Sequence, residues 1–591
     1  MPLASTLKTW GFPLMLASGS GLLLYLASPG TGGSGLLVWI ALVPLLLAIH
    51  QVDWRRAPLL GLLTGLCYHL PLLHWITVVL GEHGDVALPV AILALLLLAL
   101  YMSLYPAIFV LLLLAGSKPA SGDGHPPRRL PPPADWLKVI WLAPLLWVML
   151  DGLRAWLFTG FPWQDLAYDL YQYPLLLQAA DLAGHYGITF VIVLVNALLA
   201  ALLQRLLTRK LGSEPNFRHP NFRQRLLTRK SGSRNLGSEL NCRPTVATIG
   251  GLLIALLLPA ALVVYGTYKL PRLEPAAAAP RLATAIIQGN IPQQDKWDYE
   301  WQTATVERYL ALSRQALQET DARLLIWPET ALPFYPLENP LLDRLIDFSN
   351  RHDCYLLTGA PHREPTADAT YRYHNSALLI APAAAGEKQR PVDQPPWQRP
   401  EQQLSLYHKQ HLVPFGEYIP LRWLLPYFAP IVETMGDFSP GPGPQLLTAA
   451  DQRLGVLICY EAIFPRLARE MTDNGAELLI NITNDAWFGA TNAPWQHLSM
   501  AVLRAVENRR PLARAANTGI SAFILPDGQI KQATDLFTAD WRYLELPLSP
   551  RLKQQTVFSA GGHLLPLVCL LLFSVGTIRH FCVKLLHNKR L

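Results

Sequence analysis

Three residues in the middle of the chain are of the types that acyl chemistry uses. Cys459 closes the apolar run of "LGVLICYEAIFP", with Tyr460 and Glu461 directly after it. Glu329 closes "LLIWPE", and Lys409 lies in "YHKQHLVPFGEYIP". A thiol of pKa about 8.5 is mostly protonated at neutral pH and needs a base before it attacks well. A carboxylate can take that proton. An ammonium favours the thiolate and stabilises the oxyanion formed when an acyl carbon is attacked. The backbone N–H just after Cys459 offers a second oxyanion donor. Each residue also has a plain structural reading. A buried cysteine packs as a small hydrophobe, Glu329 can cap a helix starting at Thr330, and Lys409 can be a solvated surface group. Spacing along the chain does not decide whether the three meet.

The elements that must position them alternate. "LATAIIQGN", "ARLLIWPET", "CYLLTGAP", "YHNSALLIAP", "GVLICYEAIFP", "AELLINITND" and "GISAFILP" read as strands, while "WQTATVERYLALSRQAL" and "LLDRLIDFSNRH" have helical spacing. This order argues an α/β domain over 270–560, with acting groups at the carboxyl ends of strands.

On either side lie apolar blocks. The hydrophobic fraction is 51% and the charged fraction 15%, well below the roughly one quarter usual in soluble domains. Eight spans are expected, at 10–28, 35–50, 57–80, 86–115, 136–156, 186–203, 246–267 and 563–579. The expected division is therefore 1–269, a membrane domain with seven spans; 270–560, the α/β domain; and 561–591, a last span and basic tail. The net charge of +7 does not point to nucleic acid, because the basic residues cluster beside the spans. Residues 204–245 hold ten Lys/Arg against two acidic residues, and "RHFCVKLLHNKRL" adds four more. The loop 157–185 has Asp165, Asp169 and Asp181 but no Lys or Arg. That asymmetry puts both termini in the cytoplasm and the α/β domain outside it, with Lys269 and Arg272 as mild exceptions. "QRLLTRK" at 204–210 and 224–230, and "LGSE" at 211–214 and 236–239, mark a duplicated basic linker.

The middle region resembles the nitrilase (carbon–nitrogen hydrolase) superfamily, through "LLIWPETALP", "YHKQHLVPFGEYIP", "GVLICYEAIFP" and "INITNDAWFG". Over nearly its full length the chain resembles the apolipoprotein N-acyltransferase family of the bacterial inner membrane, adding "TGFPW", "IIQGNIPQQDKW", "MGDFSPG" and "ENRRPLARAANTGISA". The basic duplication and the insert at 384–403 depart from the family in length and leave these motifs intact. The resemblance implies an αββα sandwich facing the periplasm, with Glu329 as general base, Lys409 as oxyanion-stabilising lysine and Cys459 as nucleophile. It further implies that Glu417 supports the lysine, that Tyr460 and Glu461 shape the nucleophile's pocket, and that Trp297 lies near the acyl-binding site. The implied reaction is ping-pong. A phospholipid, phosphatidylethanolamine above all, gives its sn-1 acyl chain to Cys459, and the α-amine of a diacylglyceryl-apolipoprotein takes it. No metal or organic cofactor is expected, and the chain is expected to act as a monomer.

Cys67, Cys242, Cys354, Cys569 and Cys582 lack such surroundings and read as non-catalytic. His408 and His411 make no zinc spacing with Cys459, and no phosphate loop or dinucleotide fingerprint is present. Two other functions stay open. One is a membrane-anchored amidase that passes the acyl group to water, for which eight spans are superfluous. The other is a non-enzymatic membrane protein, a transporter or sorting scaffold, for which Asp151 and Arg154 near a span's end are the supporting residues.

Overall fold

The computed structural model describes residues 2–117, 136–212, 246–273, 280–294, 296, 298–366, 368, 370–383, 403–418, 438–548 and 554–588. Trp297, most of the duplicated basic loop, and the insert at 384–402 lie outside them. The first half is helical: α1 (Pro2–Ala27), α2 (Val43–Ala48), α3 (Ala57–Leu72), α4 (Trp75–Gly81), α5 (Leu88–Gly116), α6 (Trp136–Arg154), α7 (Pro174–Leu177), α8 (Ala180–Gly212) and α9 (Val246–Leu273). Among the described residues six helices are long and apolar enough to cross a membrane: α1, α5, α6, α8, α9 and a last one at Gly562–Arg579. α3 and α4 make a further pair bent by 52°, with Pro71 just before the break.

The segment read as a span at 35–50 departs from the expected single helix. It is a 3₁₀ turn (Gly35–Trp39) followed by the short α2. Asn196 of α8 bridges the break: its Nδ2 donates to the Val38 carbonyl and its Oδ1 accepts from Leu42 N–H, both at 2.9 Å. Broken backbone in apolar surroundings persists only where other groups satisfy it, and Asn196 does so here. Leu97, Leu257, Val264 and Leu572 are more than half exposed, a surface that suits lipid rather than water.

The second half is two six-stranded sheets. The strands are β1 (Arg281–Gln288), β2 (Leu324–Ile326), β3 (Tyr355–Pro365), β4 (Tyr371–Ile380), β5 (Leu404–His408), β6 (Leu447–Ala449), β7 (Gln452–Ile458), β8 (Leu478–Thr483), β9 (Leu512–Ala516), β10 (Ala522–Ile524), β11 (Ile530–Lys531) and β12 (Asp540–Pro547). Their orders are β12-β1-β2-β3-β4-β5 and β11-β10-β9-β8-β7-β6. Side chains alternate between faces with period two, and the cores sort accordingly. Ile286, Ile326, Leu357 and Ala377 share a cluster with Val456 and Ile480 of the second sheet. Their neighbours Ile287, Leu325, Leu356 and Leu378 instead join Tyr309 and Leu345. Those two belong to α10 (Tyr299–Glu319) and α11 (Leu341–His352), which cover the first sheet's outer face. On the second sheet's side lie α12 (Pro465–Asp473) and α13 (Ala493–Asn508). α13 is buried nearly all round because the membrane helices pack on its other side. The chain then returns through α14 (Val557–Ala560) to α15 (Leu565–Asn588).

The seam between the two halves is ionic as well as apolar. Arg504 on α13 pairs with Glu507 at 3.1 Å and donates to the Tyr168 hydroxyl at 3.0 Å. His185 bridges Glu507 at 2.9 Å and Asp165 at 2.8 Å, and Arg154 pairs with Asp165 and Asp151. Asp181 meets both Arg509 and Lys269 at 2.9 Å. Asp151 and Arg154, which as sequence favoured a transport reading, therefore belong to this seam.

Candidate active site

Cys459 sits where β7 turns into a short 3₁₀ helix (Cys459–Ile463), with φ of 50°. A non-glycine residue in that region is strained, and a tight strand-to-helix turn of this kind presents its side chain away from the sheet. Its carbonyl accepts from His497 Nε2 at 3.1 Å. The other ring nitrogen of His497 lies 3.2 Å from Asp485, which Thr483 Oγ1 at 2.8 Å and Arg514 at 2.7 Å hold in place. Burial raises the Cys459 thiol pKa, and the Glu329 carboxylate raises it further while Lys409 pulls the other way. The resting thiol is therefore protonated and needs a base.

Glu329 follows β2 and is 6% exposed. One carboxylate oxygen accepts from Asn375 Nδ2 at 2.8 Å and the other from the Asn484 backbone N–H at 2.9 Å. β3 passes so close behind it that a Cβ on Gly359 would lie 2.5 Å from Glu329 Cα; only glycine allows that approach.

Lys409 follows β5 and is 1% exposed. Its Nζ donates to Glu417 at 2.8 Å and lies 3.6 Å from Glu329. Burial opposes the ammonium, but Glu417 and then Glu329 outweigh it and raise its pKa, so Lys409 stays charged. Glu417 is fixed in turn by Asn375 Nδ2 at 2.7 Å and Val413 N–H at 2.8 Å.

Glu461 and Tyr460 lie beside this centre and perform different tasks. Glu461 is fully buried and accepts from the N–H groups of Ile458, Gln410 and His411 at 2.7–3.2 Å and from the Tyr407 hydroxyl at 3.0 Å. It ties the strand end that carries Cys459 to the loop that carries Lys409. Burial pushes its pKa up to about 7 against those N–H donors. Tyr460 donates to the Gly160 carbonyl at 3.1 Å and stacks on Phe161. The loop 157–163 from the membrane half thus packs on the residue next to the thiol.

Three contributors were not singled out from the sequence. Asn375 orients both Glu329 and Glu417. Its signal was the run of polar residues His374, Asn375 and Ser376 directly before the apolar run 377–380 of the same strand. Asn484, in "NITND", caps Glu329 through its backbone. Lys296, beside Trp297, is 1% exposed and donates to the Glu329 carbonyl at 3.2 Å. Burial pulls its pKa down to about 7, against the attraction of Glu329 and Cys459.

A two-sheet α/β domain carrying a cysteine, a carboxylate and a lysine at adjoining strand ends, set on a multi-span helical block, defines a membrane-embedded enzyme with a nitrilase-like domain. Residues 20–198 match the Apolipoprotein N-acyltransferase N-terminal domain and residues 283–550 match Carbon-nitrogen hydrolase. An apolipoprotein N-acyltransferase of Geobacter metallireducens is 37% identical over 88% of this chain and 87% of its own length. Another, of Shewanella oneidensis, is 29% identical over 85% and 84%. Among solved structures, Saccharomyces cerevisiae Nit3, a member of branch 10 of the nitrilase superfamily, is 21% identical, with a TM-score of 0.33 over 46% of this chain and 92% of that one. The chain belongs to the apolipoprotein N-acyltransferase family and is an acyltransferase.

Proposed function

We propose that the protein transfers the sn-1 acyl chain of a phospholipid, phosphatidylethanolamine foremost, through a Cys459 thioester to the α-amine of the S-diacylglyceryl-cysteine of apolipoproteins. The observation that carries this reading is the meeting of Glu329, Lys409 and Cys459 beside the membrane-half loop 157–163. Glu329 takes the thiol proton as Cys459 Sγ attacks the ester carbonyl. Lys409 and the Tyr460 backbone N–H receive the oxyanion. The tetrahedral intermediate collapses, Glu329 returns its proton to the departing glycerol oxygen, and lysophospholipid leaves. The amine then attacks the thioester, Glu329 accepts its proton, and the thiol is regenerated with the N-acylated lipoprotein. A covalent intermediate lets one site serve two bulky lipids in turn. Both substrates live in the bilayer, so a site resting on the spans meets them without extracting them from it.

The same reading divides the chain at 1–269, 270–560 and 561–591. It places both termini in the cytoplasm and the catalytic domain in the periplasm of a bacterial inner membrane. Its support is the contrast between the basic 204–245 linker and the Lys/Arg-free loop 157–185. The broken 35–50 segment then counts as a crossing buried against α8. Mass spectrometry after exposure to phospholipid tests the chemistry: an acyl mass is expected on the peptide holding Cys459, removed by a diacylglyceryl peptide. An unmodified Cys459, or release of the chain only as free fatty acid with the acceptor present, would refute the transfer.

A further inference from the structure

Behind the active centre, on the outer face of the first sheet, three imidazoles and a carboxylate converge. His362 of β3 is directly opposite His374 of β4, and His408 of β5 is opposite Ser376, two residues along. Glu364 follows His362 by two, so all four side chains emerge on one face. The rings of His374 and His408 have centroids 4.4 Å apart, and those of His362 and His408 5.1 Å.

The ring nitrogens are arranged as ligands are. His374 Nδ1 meets the Ser439 carbonyl at 2.9 Å. A carbonyl only accepts, so Nδ1 carries the hydrogen, and in the neutral ring Nε2 is the bare lone pair. His374 is 4% exposed, and that Nε2 is buried with no hydrogen-bond partner. It faces the Glu364 carboxylate at 3.8 Å. His408 Nδ1 meets Ser376 Oγ at 2.7 Å, turning Nε2 to Glu364 at 3.2 Å. His362 Nδ1, also buried without a hydrogen-bond partner, lies 4.0 Å from the same carboxylate. Metal-binding histidines typically anchor one ring nitrogen on a carbonyl or hydroxyl and present the other. Ligand atoms around a tetrahedral zinc lie about 3.3 Å apart, since each bond is about 2 Å. The donor atoms of His362, Glu364 and His408 already lie within 4.8 Å of one another, so small rotamer changes close the set.

We propose that His362, Glu364, His374 and His408 form a binding site for one divalent transition metal ion of the zinc class. The site is structural. The next residues, Asn375 and Lys409, point through the sheet to the opposite face, where they hold Glu329 and Glu417. An ion bonded to His374 and His408 pins the two backbone positions that carry this part of the active centre. Three imidazoles and one carboxylate suit zinc, and cobalt(II) reports the same geometry by its colour.

The test uses the full chain in detergent, purified through a histidine-free tag, stripped with chelator and dialysed. Titrated with Zn²⁺, it should take up one ion per chain and unfold at a higher temperature. Co²⁺ should give the visible absorption of a four-coordinate ion, which Zn²⁺ abolishes. The double substitution His362→Gln, Glu364→Gln should weaken uptake by about 100-fold and abolish the thermal shift. Should that variant fold poorly, Glu364→Ala alone, at a side chain 46% exposed, should weaken uptake by about 10-fold. Failure of the stripped wild type to bind Zn²⁺ stoichiometrically, or equal binding by folded variants, would overturn the site.

Discussion

Among the described residues, two buried clusters each join carboxylates to cations, yet they are built differently. At the seam, Arg504, Glu507, His185, Asp165 and Arg154 form a chain in which carboxylates meet arginine or histidine. At the active centre, Lys409 is shared between Glu417 and Glu329, and Asn375 touches both carboxylates. The seam uses planar guanidinium forks, which never lose their proton and lock geometry. The centre uses a point-like ammonium and adds a thiol on a strained turn. Glu329 is fastened by amide donors, which hold it in place for the base role proposed above. Burial of charge alone therefore does not mark a catalytic site; the difference lies in whether one member can accept a proton and a nucleophile lies beside it.

The largest expected effect falls on the proposed nucleophile. Cys459→Ser should lower acyl-enzyme formation with labelled phospholipid by about 10⁴-fold or more, since a hydroxyl is far harder to ionise than a thiol. Near-normal adduct in that variant would move the reaction elsewhere.

Glu329→Gln should reduce acylation by about 10²–10⁴-fold and change its pH dependence. Burial holds the thiol pKa up, so without the base the thiolate fraction grows about tenfold per pH unit through the alkaline range. Single-turnover acylation in the variant should climb steadily from pH 7 to pH 9, a range in which the wild type, with Glu329 as base, is flatter. A flat variant profile would remove Glu329 from that role.

Lys409→Arg keeps the charge but replaces a compact donor with a rigid fork. A loss of about 10²–10³-fold in turnover, with the protein still inserted and folded, is the expected outcome. Rates close to wild type would mean that this charge acts only as the seam charges do.

The comparison is sharpest at Arg504→Met. Breaking a buried pair costs about 3–5 kcal/mol, so the melting temperature in detergent should fall clearly. The folded fraction should still acylate Cys459 at a normal rate. Lost chemistry at unchanged stability would erase the distinction between the two clusters. Cys354→Ser should change acylation least. Cys354 is fully buried, and burial pushes its thiol up to about 12.

Much of this arrangement was legible in the residues. Apolar runs ending in Cys459 and Glu329 announced strands with chemistry at their ends, because period and residue type act locally. Helices over 299–319 and 341–352 followed from their spacing for the same reason. Hydropathy marked the spans, since crossing a bilayer is a matter of length and composition. The 35–50 segment escaped this reading because its break depends on Asn196, more than 150 residues away. Asn375 escaped it too, because a polar residue in a strand becomes an orienting group only once register chooses its face; Lys296 escaped it because it lies in the turn between β1 and α10, where no period applies. The same register decides that His374 and Asn375, neighbours in the chain, serve opposite sides of one sheet. Composition and motif determined which groups were present and what chemistry they could do. Tertiary structure alone decided which of them meet, because hydrogen bonds and ion pairs act over a few ångströms, whereas Glu329, Lys409 and Cys459 are separated by 80 and 50 residues of chain.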